Sequence, residues 1–267
     1  MNITLTYMVA GLSSRFGGKM KQFAKVGPAR ETLIEYSLKQ ALPARFTKII
    51  FIVGEKTQKP FFETFKNNYK GIPVEYALQQ FDTTQRDRPW GTVDALCTAD
   101  TLIKEPFIVC NGDDIYGTKT FAILLDFLKN NKENATIGYP IEEVLPKVGK
   151  VNRGIFKTEK GQVTKIVEHF DIEKDKLTEK NLDKNSLVSM NIFALQPEVL
   201  PLLKTALDNF KKEHANDRKK ECLLPHELSQ LIEHYKIKMR ILTTPDPCIG
   251  ITNPEDEEKV REQLREK

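Results

Sequence analysis

The sequence predicts an α/β protein built on a mainly parallel central sheet with helices on both faces. Short, wholly apolar runs of strand length recur through the first half of the chain, Lys48 to Val53 (KIIFIV) being the clearest, and such runs mark strands buried on two sides. Segments with helical apolar spacing separate them, and strand–helix alternation is the pattern of parallel βαβ units. At 267 residues, 40% of them hydrophobic, the chain can bury a sizeable core within one domain of two-part organisation.

The elements follow in order. Ile3 to Val9 reads as the opening strand, followed by a Gly/Ser-rich loop, and Thr32 to Ala41 as a helix with Leu33, Ile34, Leu38 and Ala41 on one stripe. Lys48 to Val53 is the second strand, closed by Gly54. Phe61, Phe62 and Phe65 fit a helix beginning near Pro60, with proline in the first turn. Val74 to Leu78 is a third strand, Thr92 to Leu102 a helix, and Pro106 to Cys110 a fourth strand that ends at Asn111-Gly112-Asp113-Asp114. A helix over Phe121 to Leu128 and a strand over Ala135 to Ile141 complete this part.

The later half changes character. Ile155 to Phe156 and Val163 to Val167 read as two short strands about the turn Lys160-Gly161. Asp171 to Asn185, crowded with lysines and acids, reads as an exposed excursion. Leu187 to Leu195 returns to the core as a strand. Helices near Pro197 to Glu213 and Cys222 to His234, and a strand from Ile237 to Leu242, come next. A last helix starts at Pro254, with Glu255 to Glu258 at the positive end of its dipole. The expected division is a nucleotide-binding part over about 1–141, an acceptor-binding part over about 142–253 and a C-terminal helix over 254–267.

Charge and cysteine usage bound the function. The 41 basic and 37 acidic residues leave a net +4, too small and too dispersed to indicate nucleic-acid binding. Cys97, Cys110, Cys222 and Cys248 follow no metal-ligand spacing and nothing demands disulfides, which points to a reducing, cytoplasmic setting. Met1 to Ala10 lacks the basic leader and apolar length of a signal peptide, and no run reaches the ~18 apolar residues of a membrane span, so no membrane partner is expected.

In open α/β sheets ligands bind beyond the carboxyl ends of the strands, which directs attention to the segments that follow them. After the first strand comes Ala10-Gly11-Leu12-Ser13-Ser14-Arg15-Phe16-Gly17-Gly18, then Lys19, Lys21 and Lys25. Small residues let backbone N–H groups approach phosphate oxygens, and Arg15 and Lys21 supply the neutralising charge; the Gly-Lys-Ser/Thr ending of a P-loop is absent. After the fourth strand, Asp113 and Asp114 are placed to bind a hard cation through oxygen, one of the two facing it. Gln79 and Pro89-Trp90-Gly91-Thr92 offer an amide and a close-packed helix entrance for a nucleobase, with Trp90 packing beneath the loop. Val188-Ser189-Met190-Asn191 and Cys248-Ile249-Gly250-Ile251-Thr252 interrupt apolar runs late in the chain.

In this order the segments resemble the sugar-phosphate nucleotidylyltransferases, the NDP-sugar pyrophosphorylases, over nearly the whole chain. AGLSSRFGGKMKQFAKVGP is similar to that family's opening loop, PWGTVDAL to its base-binding segment and NGDDIYG to its metal-bearing motif, with VSMNIFAL and GITNPED completing the series. The resemblance implies a Rossmann-like (GT-A-like) nucleotidyltransferase fold and transfer of a nucleoside monophosphate from UTP, CTP or dTTP to a sugar 1-phosphate, with Mg2+ as cofactor. It implies nucleotide contacts at Ala10, Gly11, Leu12, Ser13, Arg15, Lys21, Gln79, Gly91 and Thr92. Arg15, Lys21 and Asp113 would be catalytic, and Asn111, Gly112, Glu168 and Asn191 would meet the acceptor. Asp113 would hold the metal. Cys248 stands where many relatives carry a second metal-binding aspartate, and thiolate suits magnesium poorly, so either Asp246 or water would complete the metal shell. Ser13 replaces a glycine, His169 a lysine, and Asp94 a small residue or histidine. A phosphorylated alcohol such as phosphocholine as acceptor, or a non-catalytic nucleotide-binding regulator, are the alternatives. An oligomer is compatible with the sequence.

Overall fold

Side chains alternate across the first strands, and the alternation assembles two cores. The computed structural model describes residues 1–11, 20–146, 149–251 and 256–265. In β1 (Thr4–Met8) and its flanks, Ile3, Leu5, Tyr7 and Val9 enter one core. In β2 (Lys48–Gly54), Ile49, Phe51 and Val53 join that core while Ile50 and Ile52 enter the other, as period-two geometry requires. Helices α1 (Leu33–Ala41) and α2 (Glu55–Phe65) cover the first core. β3 (Asn68–Tyr69) and β4 (Ile72–Gln79) lie at the sheet edge, followed by α3 (Thr92–Cys97), which covers the second core. β5 (Phe107–Asn111) splits its side chains as β2 does, and the short β6 (Asp114–Ile115) precedes α4 (Thr118–Asn130).

The chain continues through β7 (Asn134–Pro140), the single turn α5 (Ile141–Val144), the hairpin β8 (Val151–Glu159) and β9 (Gln162–Ile172), and β10 (Leu187–Leu195). Helices α6 (Val199–Glu213) and α7 (Leu224–Tyr235) join α3 over the second core. β11 (Met239–Leu242), β12 (Ile249–Gly250) and α8 (Asp256–Arg265) finish the described chain. The main sheet runs β3-β4-β2-β1-β5-β10-β7-β11-β9-β8. β4, β2, β1 and β5 are parallel, β10 is antiparallel to both neighbours, and β11 is parallel to β7. The expected α/β sheet with helices on both faces is present, its parallel part confined mostly to the first half.

Three elements differ from the sequence expectation. α2 begins at Glu55, not near Pro60, because the Gly54 N–H bonds Thr57 Oγ1 (2.9 Å) and starts the helix early. An interior proline costs about 3 kcal/mol. Burial of Phe61 and Phe65 against the Phe51 ring, with centroids at 5.0 and 4.8 Å, opposes that cost. β8 and β9 are much longer than the two short strands read from the pattern, since exposed Lys157, Glu159, Thr164 and Lys165 interrupt the apolar signal on an edge hairpin. The charged excursion after β9 is anchored at both ends by buried Ile172 and Leu182.

Two ties fix the segments that flank the crevice described below. α8 packs Val260 and Leu264 against Ala24, Val26 and Leu33, and Arg261 donates to the Lys25 carbonyl (3.2 and 3.0 Å). On the other side, Arg86 is 4% exposed and lies 3.4 Å over the Trp90 ring. Its guanidinium donates to the carbonyls of Asp217 (2.6 Å), Lys220 (2.5 Å) and Arg88 (3.1 Å). Arg86→Ala removes the donor to three carbonyls at once and is expected to lower stability by about 2–4 kcal/mol in chemical denaturation. Arg86→Lys should recover little, because one ammonium cannot span the three acceptors. An unchanged midpoint in the alanine variant would show that the loops are held by other contacts.

Candidate active site

The chain runs outward from β1 through β2 to β4, then returns to β5 on the opposite side of β1. The connections after β1 and β5 therefore leave the sheet in opposite directions and open a crevice at their carboxyl ends, the usual ligand position in such sheets. Ala10 and Gly11 follow β1 there. Gly54 permits the close packing of this turn, since a Cβ on it would stand 2.9 Å from the Ala10 carbonyl oxygen. Leu12, Ser13 and Arg15 lie outside the described residues.

Lys21, on a 3-10 turn over Lys21–Phe23, forms an ion pair with the Asp113 carboxylate, both side chains remaining partly exposed (22% and 23%). The next residue, Asp114, is buried: its Oδ2 accepts from Asn111 Nδ2 (2.9 Å) and Tyr116 Oη (3.3 Å). Burial first, and the neighbouring Asp113 charge second, raise its carboxyl pKa to about 7. Tyr116 was not singled out in the sequence, yet its hydroxyl joins β5 to β10. It donates to the Met190 carbonyl (2.8 Å) and accepts from the Asn111 N–H (3.2 Å). Across β6, Gly250 of β12 pairs with Asp114, and the Ile251 N–H reaches the Asp113 carbonyl (3.3 Å). Gly112 is required to be small, for its N–H bonds the Met8 carbonyl (3.0 Å) and a Cβ would meet Val9.

At the carboxyl end of β4, Gln79 is 6% exposed and its Nε2 donates to the Gly91 carbonyl (3.1 Å) and to Asp94 Oδ2 (2.8 Å). Asp94 is held in turn by Lys211 Nζ (2.6 Å) from α6. Two acceptors on one amide nitrogen fix its orientation and leave Oε1 as the group available to a ligand. Gly91 has φ +100°, and a Cβ there would lie 2.6 Å from the Cys222 carbonyl oxygen. The Thr92 hydroxyl accepts from the Leu224 N–H (2.8 Å) at the start of α7, so its side chain is committed inward.

On the later strands, Glu168 is exposed, with its Oε2 3.5 Å from the position of a Cβ on Gly154. Desolvation by surrounding protein raises its pKa, opposed by the charges of Arg153 and His226. Asn191 adopts φ +54° at the bulge in β10, where its N–H meets Ser189 Oγ (3.2 Å). Asp246 Oδ2 accepts from the Lys119 N–H (2.6 Å) in the first turn of α4, and Gly117 is closely packed on it. As placed, this oxygen caps α4, which otherwise has no side-chain cap. Cys248 is buried, and burial pushes its thiol pKa well up. Among the described residues no group of three ligating side chains could hold a metal ion.

A cation and a carboxylate thus meet where two parallel strands part, at the usual ligand position of an α/β protein. The chain matches the family described as nucleotidyl transferase over residues 17–222, and it belongs to that family. A curated relative, the bifunctional protein GlmU of Methanococcus maripaludis, is 31% identical over 191 residues, 71% of this chain. The chain spans 37% of that relative's length. A UDP-glucose pyrophosphorylase complexed with UDP-glucose shares the fold with a TM-score of 0.68 at 15% identity, covering 100% of this chain and 99% of that one. The inositol-1-phosphate CTP transferase of T. maritima does so with a TM-score of 0.68 at 12% identity, covering 100% and 97%.

The raised pKa of Asp114 has a measurable consequence. Between the ordinary carboxyl value of 3.8 and about 7, the folded protein binds this proton more tightly than the unfolded chain does. Stability from this group is therefore lost as pH rises through that window. Asp114→Asn keeps an acceptor for Asn111 and Tyr116 but does not titrate. In metal-free buffer its melting temperature relative to wild type should climb from pH 4 to pH 7 and then level off. A difference that is flat with pH would show that Asp114 is not desolvated as described.

Proposed function

We propose that the protein transfers a nucleoside monophosphate from a nucleoside triphosphate to a sugar 1-phosphate, releasing pyrophosphate. The observation that carries this reading is the meeting of Lys21 and Asp113 across the crevice between β1 and β5. An oxygen of the acceptor phosphate attacks the α-phosphorus in line, and the bond to the bridging oxygen of the pyrophosphate breaks. The acceptor is already ionised, so no protein nucleophile or base is needed; catalysis rests on alignment and charge neutralisation. Lys21 neutralises Asp113 before substrate arrives and offers its ammonium donors to phosphate oxygens afterwards. Arg15, assigned by resemblance, would offset charge on the departing pyrophosphate. Ala10, Gly11, Leu12 and Ser13 would supply backbone contacts, and Asn111, Gly112, Glu168 and Asn191 would face the acceptor.

Asp113 fits magnesium. It is a hard oxygen donor left partly exposed, and this ion commonly takes one or two protein carboxylates and completes its shell with water and substrate phosphates. When bound, it would polarise phosphate oxygens as a Lewis acid. A reducing, cytoplasmic setting agrees with four free cysteines, and no helix among the described residues is long and apolar enough to cross a membrane.

The free Oε1 of Gln79 supports recognition of a base that presents an N–H, as uracil and thymine do at N3 and cytosine does at its amino group. UTP, dTTP and CTP all qualify. A second reading, transfer to a phosphorylated alcohol, is supported by the likeness to the inositol-1-phosphate CTP transferase.

Pyrophosphate release from a panel of these triphosphates against sugar phosphates and phosphoalcohols tests the reading, and turnover should vanish with EDTA. Lys21→Ala and Asp113→Ala are each expected to reduce turnover by about 10²–10³. Near wild-type rates in both would remove the site assignment. Asp94→Ala frees the Gln79 amide to rotate and should raise the triphosphate KM about 10-fold while leaving kcat nearly unchanged. An equal fall in kcat would mean that Asp94 acts on the reaction centre and not on the base.

A further inference from the structure

We propose that Arg153 binds the phosphate of the acceptor, supplying the charge that His169 does not; this rests on the transferase reading above. Three observations carry it. Arg153 and His169 are directly paired across β8 and β9, so their side chains share one face of the hairpin. The adjoining pair, Gly154 and Glu168, carries the proposed acceptor-side carboxylate on the alternate face of the hairpin, and the Arg153 charge still reaches it. A cation at position 153 can therefore serve the neighbourhood that a cation at 169 would serve.

The second observation is an unmet hydrogen-bonding capacity. The Nε of Arg153 is buried with no partner among the described residues, and the guanidinium's one hydrogen bond there runs from Nη1 to the adjacent Asn152 carbonyl (3.1 Å). A buried N–H of a charged group without an acceptor is costly unless a ligand or water completes it. Planar guanidinium donors match two oxygens of a phosphate.

The third observation is position. The Arg153 charge acts on Glu168 on one side and on buried Asp114 on the other. A cation close enough to act on both is within reach of a phosphate held between the β8–β9 hairpin and the turn after β5. Neither Asp114 nor Glu168 is within ion-pair distance of it, so the cation remains available.

Equilibrium binding of glucose 1-phosphate, inositol 1-phosphate and phosphocholine, each beside its unphosphorylated counterpart, tests the assignment on the full chain. For whichever phosphate the wild type binds, Arg153→Ala should weaken affinity about 10- to 100-fold while leaving the melting temperature and triphosphate affinity unchanged. Arg153→Lys should retain most of the affinity. Adding His169→Lys to the alanine variant should restore it, because the new ammonium rises from the paired position. Unchanged affinity in Arg153→Ala overturns the proposal. So does an equal loss for triphosphate, which would assign the cation to Asp114, or a wild type that binds none of the three phosphates. Acceptor binding without pyrophosphate release would remove the transferase reading and leave Arg153 in place. Turnover with an Arg153-independent acceptor KM would do the reverse.

Discussion

Phosphates repel one another, and a protein that brings two phosphorylated molecules together must supply fixed positive charge where the two meet. On the transferase reading proposed above, that requirement falls to the point where β1 and β5 run side by side in the same direction and their following segments separate. Residues more than ninety apart in sequence, Lys21 and Asp113, are thereby delivered to one contact. The pairing depends on both strands keeping register, Met8 against Asn111, because a slip of one residue would send the polar strand ends to the opposite faces.

Much of the remaining chain holds those two strand ends in place. α8 braces the segment after Lys21 through Arg261 and a small apolar core. β12 braces the segment after Asp113 by pairing with β6, and Tyr116 ties the same turn to the bulge in β10. Both C-terminal elements thus brace the segments that flank the crevice. Such preorganisation matters for a reaction in which the protein supplies no nucleophile, since misplacement of a charge by ~1 Å can cost about 10²-fold.

The parallel half of the fold was legible in the sequence because its strands are buried on both faces and read as unbroken apolar runs. The strand at Leu187 to Leu195 was read to the residue for the same reason. The β8–β9 hairpin was not, because an edge strand carries charge on its open face and the period-two signal is lost among lysines. For the site, Gly91 was readable as a close-packed helix entrance, and the structure gives the backbone reason in the Cys222 carbonyl oxygen that a Cβ there would meet. Tyr116 and Lys211 were not readable, since each acts through a partner far away in sequence. The capping bond that Asp246 makes was equally hidden, since the N–H it accepts belongs to Lys119, more than a hundred residues earlier, at the start of α4.

Departures from the family pattern are informative when read with their partners. Asp94 is a buried acid, and its energetic cost is offset by Lys211 on one side and the Gln79 amide on the other. That arrangement turns a side chain able to present either a donor or an acceptor into one that presents an acceptor alone. A base with a ring-edge N–H satisfies it, whereas a bare carbonyl at the same point would leave two acceptors opposed and unpaired, a loss of about 1–3 kcal/mol. On the reading proposed above, uracil and thymine offer such an edge at N3 and cytosine at its amino group. Selection among them would fall to whatever meets the neighbouring edge of the ring, and the backbone turn at Gly91 and Thr92, fixed against Cys222 and Leu224, adjoins Gln79.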